Sequence, residues 1–497
     1  MPATESEGDY FPATIARLER TEPGSPALLN VRLAYGQFLL NGAPGPCAQR
    51  VVMAQEQLGT AEASPKARAY FPEGWAGAAD LEYRVQLARA ECGSHADRKD
   101  DLLAAAAAAH RAVDLYRKEL DYRSMVIMQF DAATVLRQLG DNAASMAALE
   151  TALDMDREYG FQDDARDNYK LLLTWRGVPA GAAQVAQVAQ LMQDFPKRKA
   201  VFKFRWTPGD AHMTLNLRRD CLEDGRLLHG LATAVYERHI AAEPKGGWSV
   251  SHANRLNGYE PGVWPIDPDA TAPQLFFPPA RLPALNFKVS ASGEFEGVSD
   301  ATPFSDRLTA RAEGRIRVAA PPGARGRDTM GDAIRIAEIN LSPGMLEAAT
   351  AENYQLETAM WIGASLEQGV WYETSAPLSL PGVSQIAVQQ HIEFAFTRTL
   401  PCTAAATAQS CVEIVIHATP DKAALHALIG DLASPFPNTR FADYDASIEI
   451  RIVVDPATLL PYAREKHAYW YASFGHDAGY TILEADHLVS TTSYGIH

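Results

Sequence analysis

Thirteen histidines and five cysteines are the side chains here whose chemistry depends most on what lies beside them. The densest histidine group is His467, His476 and His487, with Asp477 among them. Three imidazoles and a carboxylate suit zinc or copper, provided that neighbouring strands bring them into register. Histidine on the solvated face of a strand is the commoner arrangement, so no metal or other cofactor is expected. Glu237-Arg238-His239 has the residue types of acid–base chemistry, but an exposed ion pair beside a histidine accounts for the same triplet. Gly-x-Ser-x-Gly, Walker, Gly-x-Gly-x-x-Gly and His-Glu-x-x-His patterns are all missing from the sequence. No catalytic residue is assigned.

The cysteines are Cys47, Cys92, Cys221, Cys402 and Cys411. Cys402 and Cys411 flank a Thr/Ala/Ser loop between two expected strands, where a disulfide would clamp the mouth of a hairpin. Cys47 and Cys92 fall in neighbouring helical hairpins and are expected to pair as well, leaving Cys221 odd. Two disulfides point to an oxidising compartment such as a periplasm. Five reduced, buried thiols in a cytoplasmic protein are the alternative. Among the aromatic residues, Trp361, Trp371, Tyr469, Trp470 and Tyr471 are expected to line an apolar ligand cavity. Packing in a β core would use the same residues.

The elements that must position these groups fall in two halves. A chain of 497 residues is too long for one ordinary core. Its composition, 47% hydrophobic and 21% charged, is that of a globular protein. With 45 Lys and Arg against 61 Asp and Glu, the formal net charge is -16, which disfavours nucleic acid and anionic lipid surfaces. No apolar stretch is long enough for a transmembrane helix. The acidic start, Met1-Pro2-Ala3-Thr4-Glu5-Ser6-Glu7, does not read as a signal peptide.

Residues 1–26 are expected to be a flexible segment, 27–196 a helical domain and 197–497 an antiparallel β-rich domain. Helical spacing marks Asn30–Leu40, Cys47–Leu58, Leu81–Cys92, Asp100–Leu120, Tyr122–Leu139, Asn142–Tyr159, Gln162–Trp175 and Ala180–Gln193. Tyr35, Tyr116, Tyr122 and Tyr169 sit at spacings that serve a core as readily as a concave binding face.

Val126–Arg157 resembles a tetratricopeptide repeat. Ala132-Ala133 takes the small-residue place in the first helix, Gly140 the turn, and Ser145, Leu149, Ala152 and Leu153 follow in the second. Gly42, Cys47, Val51 and Ala54 fit the same frame. The family's early aromatic is Gln129 here, its terminal Pro is Arg157, and the central pairs are about 40 residues apart instead of roughly 34. The resemblance implies an α-solenoid with a concave surface for a partner protein.

Past Pro196 the period changes to two. His212–Arg218, Arg226–His239, Trp248–His252, Leu285–Val289, Phe295–Val298, His391–Thr397, Cys411–His417, Ser447–Val454, Lys466–Ser473 and Tyr480–Tyr494 read as strands. Pro261–Pro283 reads as a long ordered loop. One helix is expected, capped by Ser342 with Pro343 at its first position and continuing over Leu346–Ile362. The fold class is therefore α+β multidomain: an α-solenoid followed by an antiparallel curved sheet or half-barrel with one helix. The strand order, the single helix and the Val454–Pro461 turn are similar to the LolA/LppX-like lipoprotein-carrier class of envelope β domains. That likeness implies a lipid or other apolar ligand.

The resulting expectation is a non-enzymatic, exported scaffold, with helices contacting a partner protein and a β domain holding an apolar ligand. The rival readings are an enzyme of unknown class acting on an envelope substrate and a purely structural adaptor.

Overall fold

The computed structural model describes residues 7–21, 26–64, 67, 71, 74–93, 97–195, 197–223, 226–259, 283–319, 331, 334–335, 338–339, 341–380, 383–403, 410–421, 424–425, 439–476 and 481–496. The chain divides into two units, Met1–Arg198 and Lys199–His497, against an expected boundary near Pro196.

The first unit runs through α1 (Glu7–Thr21), α2 (Pro26–Asn41), α3 (Cys47–Glu62), α4 (Ala76–Cys92), α5 (Arg98–Lys118), α6 (Tyr122–Gln138), α7 (Asn142–Tyr159), α8 (Gln162–Trp175) and α9 (Ala182–Asp194). Each helix packs on the next, and α2 also meets α4. The alanine run makes α5 slender, with Ala105, Ala106, Ala108, Ala109 and Ala112 all buried, so its neighbours approach closely. Asp121 and Asp141 cap the next helices, their carboxylates accepting from the Ser124 and Ala144 backbone N–H at 3.0 Å each. The residues just before these caps, Leu120 and Gly140, are both left-handed, with φ of 59° and 82°. No described helix is long and apolar enough to cross a membrane.

The flexible segment expected over residues 1–26 is helical from Glu7 to Thr21. Gly8 and Pro12 read as breakers, yet Ile15 and Leu18 bury against Leu28. Phe11 lies 5.4 Å from both the Tyr35 and Phe38 rings. Tertiary burial of this kind overrides a weak local propensity.

In the second unit β1 (Lys199–Val201) pairs with β7 (Ser365–Glu367) in a small antiparallel sheet. The remaining strands are β2 (Gly209–Glu223), β3 (Arg226–Ala242), β4 (Trp248–Tyr259), β5 (Leu285–Val289), β6 (Phe295–Val298), β8 (Trp371–Leu380), β9 (Val383–Pro401), β10 (Ser410–Pro420), β11 (Thr439–Val454), β12 (Pro461–His476) and β13 (Thr481–Ile496). They form one open antiparallel sheet in the order β6-β5-β4-β3-β2-β13-β12-β11-β10-β9-β8. The last strand in sequence, β13, thus joins the early meander to the late one. A helix, α11 (Pro343–Glu357), touches both β6 and β9, so the sheet curves around it.

The inner face carries the core. Ile392, Phe396, Ile414, Ile416, Ile448, Ile450 and Ile452 pack with Leu356 and Trp361. The turn from β11 to β12 is stitched down by Asp455, whose carboxylate accepts from Ala457 N and Thr458 Oγ1 at 2.9 Å each. Trp206 Nε1 donates to Leu459 O at 3.3 Å.

Two expectations need correction. The β unit has a second described helix, α10 (Thr302–Ala319), whose charged sequence hides any apolar stripe. The helix after Pro343 ends at Glu357, with a separate 3₁₀ turn at Ala359–Trp361, and Ser342 makes no side-chain cap bond. The loop expected over Pro261–Pro283 lies, apart from Pro283, outside the described residues.

Candidate functional site

The first helices of two successive hairpins, α6 and α8, frame a groove of about 330 Å³. Helical spacing sorts the residues of α6. Met125, Val126, Met128 and Gln129 turn into the unit, while Ile127 stays 42% exposed and Phe130 and Asp131 are half-buried. Val126, Ile127, Phe130 and Leu171 give the groove apolar walls; Asp131, Asp164, Asp167 and Asn168 give it polar ones. Gln129 donates from Nε2 to Ala148 O at 3.2 Å and ties α6 to α7.

Several acids of this helical unit have carboxyls raised by burial. Burial pushes the Asp131 carboxyl up to about 6, opposed by Arg84 and by the hydroxyl of Tyr83, which donates to it. Arg84 Nε donates to Asp80 at 2.7 Å, and Tyr116 OH donates to the same carboxylate at 3.4 Å. Asn168 Nδ2 donates to Asp156 Oδ2 at 2.7 Å, and burial raises that carboxyl to about 8. Glu119 accepts from Ala76 N at 2.9 Å, with burial lifting it to about 7.

Two further clusters lie in the β unit. On the outer face Glu413 is fully buried between Arg398 Nε at 3.1 Å and Arg451 Nε at 2.5 Å, and Thr397 Oγ1 donates to it at 2.8 Å. Burial alone would raise this carboxyl, but the guanidiniums of Arg451 and Arg398 hold it below its ordinary value. On the inner face Arg464 reaches Glu357 at 3.0 Å and Asn353 at 2.9 Å, both on α11. Burial lowers neighbouring Lys466 to about 8, assisted by Arg464 and opposed by Glu352 and Glu357.

The five aromatic residues expected to form one cavity are not brought together. Trp361 is core, 1% exposed, packed on Phe202 and Phe394 and donating to Leu356 O at 2.7 Å. Trp371 is 42% exposed on edge strand β8, its ring 5.1 Å from His417 on the outer face. Tyr469 stacks on His467 at 6.4 Å on that same face. Trp470, next along β12, takes the opposite face, and the Tyr471 side chain lies outside the described residues. Strand alternation forbids three consecutive residues from sharing a cavity.

Of the histidines first singled out, His467 is buried and lies 2.9 Å from Glu465 Oε1. The side chains of His476, Asp477 and His487 lie outside the described residues. A different group, Glu373, His391 and Glu393 on β8 and β9, has its ligand atoms within 4.8 Å of one another. Cross-strand register alone creates it, because Glu373 lies opposite Glu393.

Both expected cysteine pairs stand at disulfide distance, with Cα atoms 5.8 Å apart for Cys47 and Cys92 and 4.8 Å for Cys402 and Cys411.

No family model matches the chain, and no curated protein matches it. One solved structure that does match is described as "lipid-protein interactions in lipovitellin", at 10% identity and a TM-score of 0.27, covering 59% of this chain and 26% of that one. This chain thus spans about a quarter of the length of that protein, and at that score the likeness carries nothing about fold or function.

Proposed function

We propose that this chain is a non-enzymatic binding scaffold of the cell envelope. Its helical unit, stacked in the manner of tetratricopeptide repeats, holds a segment of a partner protein. The observation that carries the reading is the groove between α6 and α8. It lies between the first helices of successive hairpins, where a repeat scaffold presents its concave face, and an exposed Ile127 sits within it. The two cysteine pairs support an oxidising, periplasm-like compartment.

The β unit is the place for an apolar ligand in this reading. Support comes from the sheet curving around α11 and from Lys466, a cation on the inner face that is influenced by Glu352 and Glu357 but makes no hydrogen bond among the described residues. A cation there suits an amphiphile with an anionic head. Native mass spectrometry before and after denaturation tests this half, since a ligand mass must leave on unfolding.

Site-specific photo-crosslinking in cells tests the helical half. A photoreactive residue at Ile127 is expected to give a discrete protein adduct that is not formed from Val185, an exposed apolar position on α9. Equal labelling from both positions, or none from Ile127, refutes the groove as the partner site.

A further inference from the structure

We infer that the segment bound in the α6–α8 groove is basic: an apolar side chain seated on Ile127, Phe130 and Leu171, flanked by Lys or Arg residues that reach Asp131 on one wall and Asp164 and Asp167 on the other. This rests on the groove being the partner site, and it adds the chemistry of the occupant.

The inference comes from the charge of the walls. Three carboxylates line the groove, and no Lys or Arg does. The cations that pair with or act on them lie outside the lining. Arg123 approaches Asp164 only at 3.8 Å and is mostly exposed. Lys170 meets Asp167 at 2.9 Å from one turn along the same helix, an exposed pair of the kind that exchanges readily with solvent or a competing cation. Arg84 influences Asp131 but is committed to Asp80. The charge on the groove's own lining is therefore negative, and it favours a cationic segment over an acidic one. The apolar walls supply burial for one side chain, and the rim supplies the sign.

Random-peptide phage display on the immobilised full chain provides the probe. Selection runs in parallel on the native protein, on Asp164→Lys with Asp167→Lys, on the shape-conserving Asp164→Asn with Asp167→Asn, and on Ile127→Glu, each checked for native circular dichroism. The native pool is expected to be enriched in Lys and Arg around an apolar residue. Its members should bind the doubly reversed variant at least 10-fold more weakly and the neutralised variant to an intermediate degree. They should also weaken with added salt. A pool that depends on Ile127 but is neutral or acidic in composition overturns the inference and leaves the groove reading standing. A pool indifferent to Ile127→Glu, or no enrichment at all, sinks both.

Discussion

Asn168, on the wall of the groove, donates its amide to Asp156 Oδ2 at 2.7 Å, and the second oxygen of that fully buried carboxyl has no partner among the described residues. A carboxylate in that position is badly solvated, which is why burial raises it from 3.8 to about 8. Between those values the folded state holds a proton that the unfolded chain has released. Stability from this site is therefore complete below about pH 4 and declines as pH rises toward 8. Asp156→Asn keeps the shape and removes the titration. The variant should outlast the native protein in urea at pH 8 by on the order of 2 kcal/mol and lose that advantage near pH 4. Equal midpoints at both pH values would show the carboxyl to be charged and satisfied.

Two glycines separate backbone strain from space. An added Cβ would meet nothing within 4 Å at either Gly59 or Gly140, but Gly140 has φ of 82° and Gly59 lies inside α3. Gly140→Ala forces a side chain into the left-handed region and should cost about 1–2 kcal/mol. Gly59→Ala should instead stabilise by roughly 0.5–1 kcal/mol, through helix propensity alone. Thermal unfolding of the two variants should move in opposite directions.

Much of the fold is legible in the sequence because its cues are local. The spans of α7, α8, β5 and β6 coincide with the expected runs, since caps, breakers and alternation set them. What eluded the sequence depends on partners far along the chain. The helix α1 forms because Ile15 and Leu18 find Leu28. In α10, Arg307, Arg311, Arg315 and Arg317 leave little periodic apolar signal. The groove was hidden because Ile127 and Phe130 share helical spacing with the core positions of α6, and only the packing of α8 shows which way they turn. Glu373 and Glu393 carry no signal at all until β8 and β9 are in register.

The two cysteine pairs enclose loops of different length, with separations of 45 residues for Cys47–Cys92 and 9 for Cys402–Cys411. Loop-closure entropy assigns about 4 kcal/mol to the longer link and about 2.5 kcal/mol to the shorter. Replacing Cys47 and Cys92 by serine should therefore lower the unfolding midpoint of the oxidised protein more than the same change at Cys402 and Cys411. Alkylation of denatured protein prepared without reductant is expected to label one cysteine, Cys221. Labelling of all five would remove the support for an oxidising compartment.

Glu413 presents the reverse of Asp156. Both carboxyls are fully buried, but Glu413 lies between two guanidiniums, and these hold it ionised. Its contribution is present above the ordinary carboxylate range and is lost as pH falls through its lowered folded value. Glu413→Gln removes the carboxylate that lies between Arg398 and Arg451, leaving Arg451 the more distant Glu465 at 4.0 Å. Both arginines keep partial access to water, with side chains 25% and 20% exposed, so the loss should be nearer 2 kcal/mol than the roughly 3–5 kcal/mol of a fully enclosed pair. The variant's stability should also fall less between pH 6 and pH 3 than that of the native protein. Pairing Glu413→Met with Arg451→Met should recover part of the loss, because it removes a charge from each side. If the double variant is instead less stable than the sum of its singles, the network contributes through packing of the arginine stems and not through charge.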